Sequence, residues 1–360
     1  MDATDDDASK CRSTLATFFD GDRLTREDVR EVYGECRLRS SGVICGVALF
    51  VVWTSRGEAG DEPHLIAARK AVADTGRSMM LNKIFVYGTL LRSLERAYWL
   101  ARAQLLGVAR VRGRLHDLGS YPGLMEGSGW VLGELYAIDA ETGRDLDRVE
   151  GFDPSDEVGS LYRRVPTQVQ LIATGETVTA ETYVYNQAVP AGSSIEHGDY
   201  RRSRLEANGA ERVWVIAYGS NMHTDRLTDR IGSYRESRAG FVDHARLTFN
   251  KGASSGGVYA NLARGTREDR CPIVAARLTP QQVLSLDRYE GTPSHYLRTV
   301  IPFQDRQTEA VTLGYVYLAA PEQLVEASVP NWDYLRHLAR GYEEHGFETE
   351  TLPRVQRREI

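Results

Sequence analysis

Two apolar runs with strong β-propensity lie far apart in the chain and end in the same way. The runs 84–87 and 213–218 both finish in Tyr-Gly, and a hydroxyl-bearing residue follows, Thr89 in one case and Ser220 in the other. A short apolar run that stops at a glycine predicts a strand and a tight turn. The two segments therefore predict the same local structure in two places.

Helical periodicity follows both turns. Ser93 can cap a helix over 94–105, and the second turn leads into a helix over 224–231. A glycine lets the backbone approach a ligand closely, and free N–H groups at a helix start can bind a carboxylate or an oxyanion. The alternative interpretation is a strand-to-helix turn without a ligand.

A second motif, Leu-Asp-Arg-x-Glu-Gly, also occurs twice and ends at Gly151 and at Gly291. The segment before Gly291 opens with a T-x-x-Q capping box at Thr279, and Asp139 can cap the segment before Gly151. Glycine at the end of a periodic segment is typical of a helix C-terminus. Each motif is therefore predicted to end a short helix.

The two motifs keep their order, and corresponding residues are separated by 131 to 140 residues. A nearly constant separation indicates a duplicated domain. We expect one copy over 82–203 and another over 213–356, joined by a polar linker at 201–211.

Residues 1–80 have no counterpart in either copy and are treated as an N-terminal extension of unknown function. One hypothesis is that translation begins at Met79 or Met80. The longest apolar run, 43–53, is too short for a bilayer that needs about 20 residues. Because the chain opens with aspartates rather than a positive region, we expect no export.

Composition narrows the function classes. The chain has 360 residues, 44 Lys and Arg against 50 Asp and Glu, and a net charge of −6, so nothing favours nucleic acid or an anionic membrane as partner. A mean hydropathy of −0.39 is typical of a soluble globular protein. Four scattered cysteines without C-x-x-C indicate reduced thiols in the cytoplasm. A small-molecule ligand is expected.

The paired carboxylates Glu150 and Glu290 are the strongest chemical candidates. Each lies in the last helical turn, where the helix dipole opposes ionisation, and burial would raise the pKa further from about 4.3. Such a carboxylate suits a general base. An exposed glutamate at a helix end, without a catalytic role, is the alternative. A catalytic role is favoured because the glutamate occurs twice, at a matched distance from the Tyr-Gly turn.

Two tyrosine pairs, Tyr183 with Tyr185 and Tyr315 with Tyr317, lie on predicted strands of the two copies. We expect one member of each pair to face inward and the other outward. The inward tyrosine either packs in the core or presents its hydroxyl to a pocket.

Other candidates are weaker. Arg164 and Arg298 could bind a substrate carboxylate as a fork, or could be exposed strand residues. The segment 252–256 fits G-x-S-x-G, but no helix follows it, so a serine hydrolase is rejected. The eight histidines form no metal-binding spacing, and no nucleotide-binding glycine motif occurs. The Gly- and Ser-rich loop 251–257 could gate the second copy.

The residues of both copies resemble the gamma-glutamylcyclotransferase superfamily. Tyr87-Gly88-Thr89-Leu90 with the segment 146–152 is similar to the gamma-glutamylamine cyclotransferase branch, and Tyr218-Gly219-Ser220-Asn221 with 286–291 is similar to the Y-G-S-N branch. The resemblance implies an α+β fold, with two tandem small mixed β-barrels, flanking helices and a pocket at one mouth of each.

The resemblance also implies a reaction. The α-amine of a γ-glutamyl group attacks its own γ-carbonyl and releases 5-oxoproline and an amine, with Glu150 and Glu290 as general acid/base. The expected substrate-binding residues are Tyr87, Gly88, Thr89 and Leu90, then Tyr218, Gly219, Ser220 and Asn221, and finally Tyr296 and Tyr317. No cofactor is required. The alternatives are a non-catalytic or half-catalytic module that binds a γ-glutamyl metabolite or a protein partner, and an amidase that releases glutamate.

Overall fold

A computed structural model describes residues 82–253 and 256–353, together with the backbone of four strands nearer the N-terminus. Those strands are β1 (Arg23–Glu27), β2 (Leu38–Ile44), β3 (Val47–Arg56) and β4 (Glu62–Lys70). They form an antiparallel sheet in chain order within a compact unit of residues 1–80. The proposed start at Met79 or Met80 lies outside the described residues.

The second compact unit, residues 81–360, contains two closed barrels. The first barrel consists of β5 (Asn82–Val86), β6 (Gln104–Asp117), β7 (Pro122–Ile138), β8 (Tyr162–Leu171) and β9 (Thr177–Tyr185). Its strands pair in the order β5-β7-β6-β8-β9, with β5 parallel to β9 and the other pairs antiparallel. Helix α1 (Ala140–Glu150) follows β7, and α2 (Tyr200–Ala207) leads to the second barrel.

The second barrel repeats this plan. Its strands are β10 (Val213–Ala217), β11 (Ser237–Asp243), β14 (Arg270–Leu278), β15 (Tyr296–Asp305) and β16 (Val311–Ala319), closed in the corresponding order. Its helices are α3 (Thr224–Ile231), α4 (Pro280–Glu290) and α5 (Trp332–Glu344), and β12 (Ala245–Gly252) pairs with β13 (Val258–Arg264) in a separate hairpin. The predicted α+β fold with two tandem small barrels is confirmed.

One difference separates the two barrels. In the first, β6 and β7 run continuously for 14 and 17 residues. In the second, the corresponding path is interrupted at His244, which has a φ of 59°, and in the loop 265–269. A non-glycine residue in this left-handed region breaks the strand direction. The β12–β13 hairpin is therefore a separate ribbon.

The predicted helix over 94–105 is wrong. Ser93 adopts a φ of 64°, whereas an N-cap residue needs an extended backbone, and only Ala97–Leu100 forms a short 3-10 helix. From Gln104 the chain pairs with β7 instead. The helix over 224–231 is confirmed.

The segment between the barrels is a helix rather than a loose linker. Asp199 caps α2, and its carboxylate accepts hydrogen bonds from the Thr299 hydroxyl (2.6 Å) and the Val300 N–H (3.2 Å) on β15. Arg201 is buried and contacts both barrels. In the described residues no helix is both long and apolar enough to cross a membrane.

Candidate functional site

Both barrels bring their predicted site residues together at the end of the first strand. The first turn, residues 87–90, follows β5 and lines a pocket with Glu150 from α1. The second turn, residues 218–221, follows β10 and lines a pocket with Glu290, Tyr296 and Tyr317. We call these the first and second pockets.

The tyrosine of each turn is buried, and its hydroxyl bonds to the neighbouring parallel strand of the barrel, β9 in the first and β16 in the second. Tyr87 donates to the Tyr183 carbonyl at 2.7 Å, and Tyr218 donates to the Tyr317 carbonyl. The Tyr87 oxygen also accepts from the Leu124 N–H at 3.2 Å. Because these hydroxyls are already bonded to backbone groups, their main role is to fix the position of the turn.

The aspartate of each Leu-Asp-Arg-x-Glu-Gly motif anchors its helix to the barrel. Asp147 accepts from the Tyr183 hydroxyl at 2.8 Å and lies 3.4 Å from Arg164. In the second barrel, Asp287 accepts from the Tyr317 hydroxyl and from Arg298, both at 2.8 Å. Neither arginine lines its barrel's pocket, so the structure does not bring them to the place expected of a substrate fork.

The expectation that each tyrosine pair splits between inside and outside is wrong. Residues two apart on a strand point to the same face. Tyr315 and Tyr317 are both buried in one apolar cluster, and Tyr183 and Tyr185 pack against another.

Glu150 faces the first pocket at the end of α1. Burial raises the pKa of its carboxyl to about 7, although the positive charge of Arg96 acts in the opposite direction. In the described part of the chain its carboxylate accepts no hydrogen bond from a side chain, since Arg96 donates to the Val149 carbonyl instead. A carboxyl with this pKa can take up and release a proton near neutral pH.

Glu290 has a more polar setting. Asn221 of the second turn donates to its carboxylate at 2.8 Å, and Arg230 approaches it at 3.3 Å while donating to the Asn221 side-chain oxygen at 2.8 Å. Burial raises the pKa of Glu290, and Arg230, Asn221 and the nearby Lys251 act against this increase. Asn221 therefore links the turn, the cation and the carboxylate.

The two pockets differ greatly in size. The second has a volume of about 370 Å³, within the range of small-molecule sites. The first has about 20 Å³, roughly the room of one water molecule.

The second pocket contains three cations that sequence reasoning missed: Arg226 and Arg230 from α3, and Lys251 from the hairpin. Lys251 is 4% exposed, and its Nζ lies 3.1 Å from His295 Nδ1. Arg226 donates to the Ser220 hydroxyl at 3.0 Å. The four-residue spacing of the two arginines, which places them on one helix face just after the turn, was the available signal.

The glycine of each turn faces a close neighbour. A Cβ on Gly88 would lie 2.8 Å from the Pro122 ring, and one on Gly219 would lie 2.7 Å from the Tyr334 hydroxyl. In the first turn, the backbone N–H groups of Thr89 and Leu90 have no acceptor within the described residues. They are available to a ligand oxygen.

Residues 82–253 and 256–353 hold no group of three His, Cys, Asp or Glu side chains arranged as metal ligands. The chemistry available to both pockets is that of a buried carboxyl next to backbone N–H donors. The second pocket adds four cationic side chains, namely Arg226, Arg230, Lys251 and Arg288.

A family model described as "Gamma-glutamyl cyclotransferase, AIG2-like" matches residues 84–202 and again 215–336. The chain belongs to this family. The resemblance seen in the sequence is confirmed, and both repeats carry it.

Named members of the gamma-glutamylcyclotransferase family are the size of one repeat. The family protein YtfP of Escherichia coli strain K12 is 38% identical over 119 residues, which are 33% of this chain and 95% of that protein. The gamma-L-glutamyl-butirosin B gamma-glutamyl cyclotransferase of Niallia circulans is 36% identical over 139 residues, 38% of this chain and 86% of that protein.

A solved structure has the tandem arrangement. YkqA from Bacillus subtilis aligns with a TM-score of 0.60 over 76% of this chain and 99% of its own, at 20% identity. At that identity the likeness concerns the fold.

Proposed function

We propose that the chain catalyses intramolecular cyclotransfer on γ-glutamyl amides or peptides, with Glu290 and Glu150 as the general acid/base of the two pockets. The observation that carries the proposal is the duplicated placement of a buried glutamate with a raised pKa beside a Tyr-Gly turn. A module that only binds a ligand has no need of a carboxyl whose pKa is raised in this way. The family membership and the named relatives support the same reaction type.

The reaction needs one base and one oxyanion site. The substrate α-amine attacks the γ-carbonyl carbon, a ring C–N bond forms and the C–N bond to the leaving amine breaks. The glutamate takes a proton from the attacking nitrogen and returns it to the leaving nitrogen, so no net proton is consumed. Because attack is intramolecular, correct folding of the substrate supplies a large part of the rate, with effective molarities of about 10⁵ M or more.

The turn and the cations would hold the substrate. Backbone N–H groups of the turn are suited to the developing oxyanion, a contribution worth about 3 kcal/mol per donor. Among the described residues, Arg226 and Lys251 have no carboxylate within ion-pair distance, so both are free to bind the α-carboxylate of the glutamyl group. Arg230 already shares Glu290 and Asn221.

A half-catalytic chain is the second candidate, and the pocket volumes favour it. The first pocket has room for about one water, so turnover there requires Tyr121, Pro122 or the first turn to move. The second pocket accepts a small ligand as it stands. On this alternative, Glu290 alone carries the activity.

Glutamine variants of the full chain test the proposal. If only the second pocket works, Glu290→Gln is expected to reduce release of 5-oxoproline from γ-glutamyl peptides or amines by about 10²- to 10⁴-fold, because the proton carrier is lost, and Glu150→Gln changes nothing. If both pockets work, each single variant keeps the turnover of the other pocket, and only the double variant Glu150→Gln/Glu290→Gln shows the full loss. Mass spectrometry of the products and steady-state rates measure both effects.

Glu141→Gln is the control, since this exposed glutamate lies on α1 away from the pocket. It should leave the rate unchanged. If the double variant Glu150→Gln/Glu290→Gln still releases 5-oxoproline at the original rate, the proposed base is wrong. If the product is free glutamate, the chain is an amidase.

A further inference from the structure

A cleft between the two barrels is independent of both pockets. It has a volume of about 730 Å³ and lies within the compact unit that contains both barrels. The first barrel contributes residues of the short helix at 97–100, the start of β6 and Tyr136, and the second contributes His244, Arg246, residues 264–267 and Asp269. A concave site of this size between domains is a common place for a small ligand.

The cleft is strongly positive. Arg246, Arg264 and Arg267 line it, and within the described residues none of them has a carboxylate within ion-pair distance. Asp269, the acidic residue of the lining, also accepts the Thr266 N–H at 2.6 Å. Three guanidinium groups against one carboxylate leave an excess of positive charge, in a chain whose net charge is −6.

The inner wall adds to this excess. Arg92 lines the cleft and pairs with Glu134 at 2.9 Å, but the buried Arg201 pairs with the same carboxylate, also at 2.9 Å. Two guanidinium groups therefore share one negative charge directly behind the cleft. Neighbouring like charges raise the free energy of the empty site, and an anion would relieve this.

The broken strands of the second barrel create the positive lining. His244 follows the end of β11, Arg246 is the second residue of the hairpin, and Arg264 ends the hairpin before the loop 265–269.

From this charge and shape we propose that the cleft binds a small organic polyanion whose phosphate or carboxylate groups engage Arg246, Arg264 and Arg267. Guanidinium forks match the oxygen geometry of both groups. The apolar residues Ala97, Leu100 and Leu105 would contact the uncharged body of the ligand. The assignment stands apart from the cyclotransferase proposal.

Arg92 connects this cleft to the first turn. Its backbone N–H and its Nε both donate to Glu134, at 3.1 and 2.9 Å, two residues beyond Leu90.

Calorimetric titration of the full chain with inorganic pyrophosphate and, separately, with citrate tests the proposal at about 0.15 M salt. We expect saturable one-to-one binding of at least one of them, with a dissociation constant below about 1 mM. The tighter of the two identifies the anionic group, and acetate should bind at least tenfold more weakly. Arg246→Gln/Arg264→Gln should weaken the binding at least tenfold. These side chains are exposed, and the single variant Arg267→Gln provides a second, milder test.

Two controls distinguish the cleft from other cationic places. Arg163→Gln/Arg235→Gln removes the same charge from exposed positions outside the cleft and should change the affinity less than twofold. Lys251→Met should also retain binding, because Lys251 belongs to the second pocket. The proposal fails if neither polyanion binds saturably, if the control pair weakens binding as much as the cleft pair, or if only Lys251→Met abolishes it. None of these outcomes depends on cyclotransferase activity.

Discussion

The same residue in the same helical position has two different environments in this chain. Glu150 sits among apolar and tyrosine side chains, whereas Glu290 contacts Asn221 and Arg230. Burial raises the pKa of both, and Arg96 counteracts this for Glu150 by its charge, but of the two carboxylates it is Glu290 that accepts side-chain hydrogen bonds in the described residues. The pKa of the Glu150 carboxyl is therefore raised to near neutral pH almost entirely by desolvation.

This desolvation makes Glu150 costly for stability at high pH. Its pKa of about 7 in the folded chain exceeds the value of about 4.3 in an unfolded chain, so the folded state binds more protons between these values. The free energy of unfolding therefore falls as pH rises through this window. Glutamine at this position does not ionise. The free energy of unfolding of Glu150→Gln, relative to that of the original chain, should therefore increase by on the order of 3 kcal/mol from pH 4 to pH 8.

Urea denaturation at a series of pH values measures this gain. Glu141→Gln, an exposed substitution on the same helix, should give a difference that hardly changes with pH. An equal pH dependence of the two variants would show that the Glu150 carboxyl is not desolvated.

At the scale of elements, helices α1 and α4 are each held to their barrel by an equivalent aspartate, Asp147 and Asp287. The two ion pairs that these aspartates form differ in strength. Asp287 lies 2.8 Å from Arg298, whose side chain is 9% exposed, while Asp147 lies 3.4 Å from Arg164, which is 25% exposed. Removing one partner of a buried pair leaves an uncompensated charge, and this costs more than the loss of an exposed pair.

Asp287→Asn should therefore lower the free energy of unfolding by about 2 to 3 kcal/mol, and Asp147→Asn by about 1 kcal/mol. Chemical denaturation of the two variants side by side checks the order. An equal loss, or a larger loss for Asp147→Asn, would contradict the difference in burial.

Elements with a complete local signal were predictable from the sequence. The capping residues Asp139 and Thr279 predict where α1 and α4 begin, and the glycine after each helix predicts where it ends. The segment 94–105 was not predictable, because Ser93 takes a left-handed backbone, only Ala97–Leu100 forms a 3-10 helix, and the last two residues already pair with β7. Their partners lie at the far end of β7, outside a local window of sequence.

At the scale of the whole molecule, α2 is a rigid connection. Arg201 donates to the Arg92 carbonyl, to Glu134 and to the Val300 carbonyl, and so joins the segment after the first turn, and β7, to β15 of the second barrel. Glu134 is fully buried, and its arginine partners hold its pKa well below the usual range despite desolvation. The buried polar cluster thus adds to an apolar contact between the barrels, in which Ile172 of the first barrel packs among buried residues of the second.

Arg201→Met should destabilise the chain by about 3 to 5 kcal/mol, because Glu134 loses one of two cations in a buried setting. Arg202→Met, on the more exposed side of the same helix, removes the pair with Glu206 and should cost about 0.5 kcal/mol or less. Thermal and urea unfolding give the comparison. A small effect of Arg201→Met would show that Arg92 alone compensates Glu134.

The duplication and both glutamates were visible in the sequence, but the different character of the pockets was not. Lys251 enters the second pocket from a hairpin, and the arginines enter from a helix behind the turn, so their convergence depends on tertiary structure. The volume of the first pocket depends on how closely Pro122 approaches Gly88. The spacing of the motifs predicts neither the convergence of these cations nor the volume of the first pocket.

The β12–β13 hairpin has a genetic consequence. Lys251 near its tip belongs to the second pocket, and Arg246 and Arg264 at its base belong to the cleft. A β-bulge between Thr248 and Lys251 separates these two parts of the ribbon. Because a shift of one residue in strand register turns side chains to the opposite face, an insertion or deletion on one side of the bulge would turn away the charged residues of that side, and the bulge is where the register of the other side can be kept.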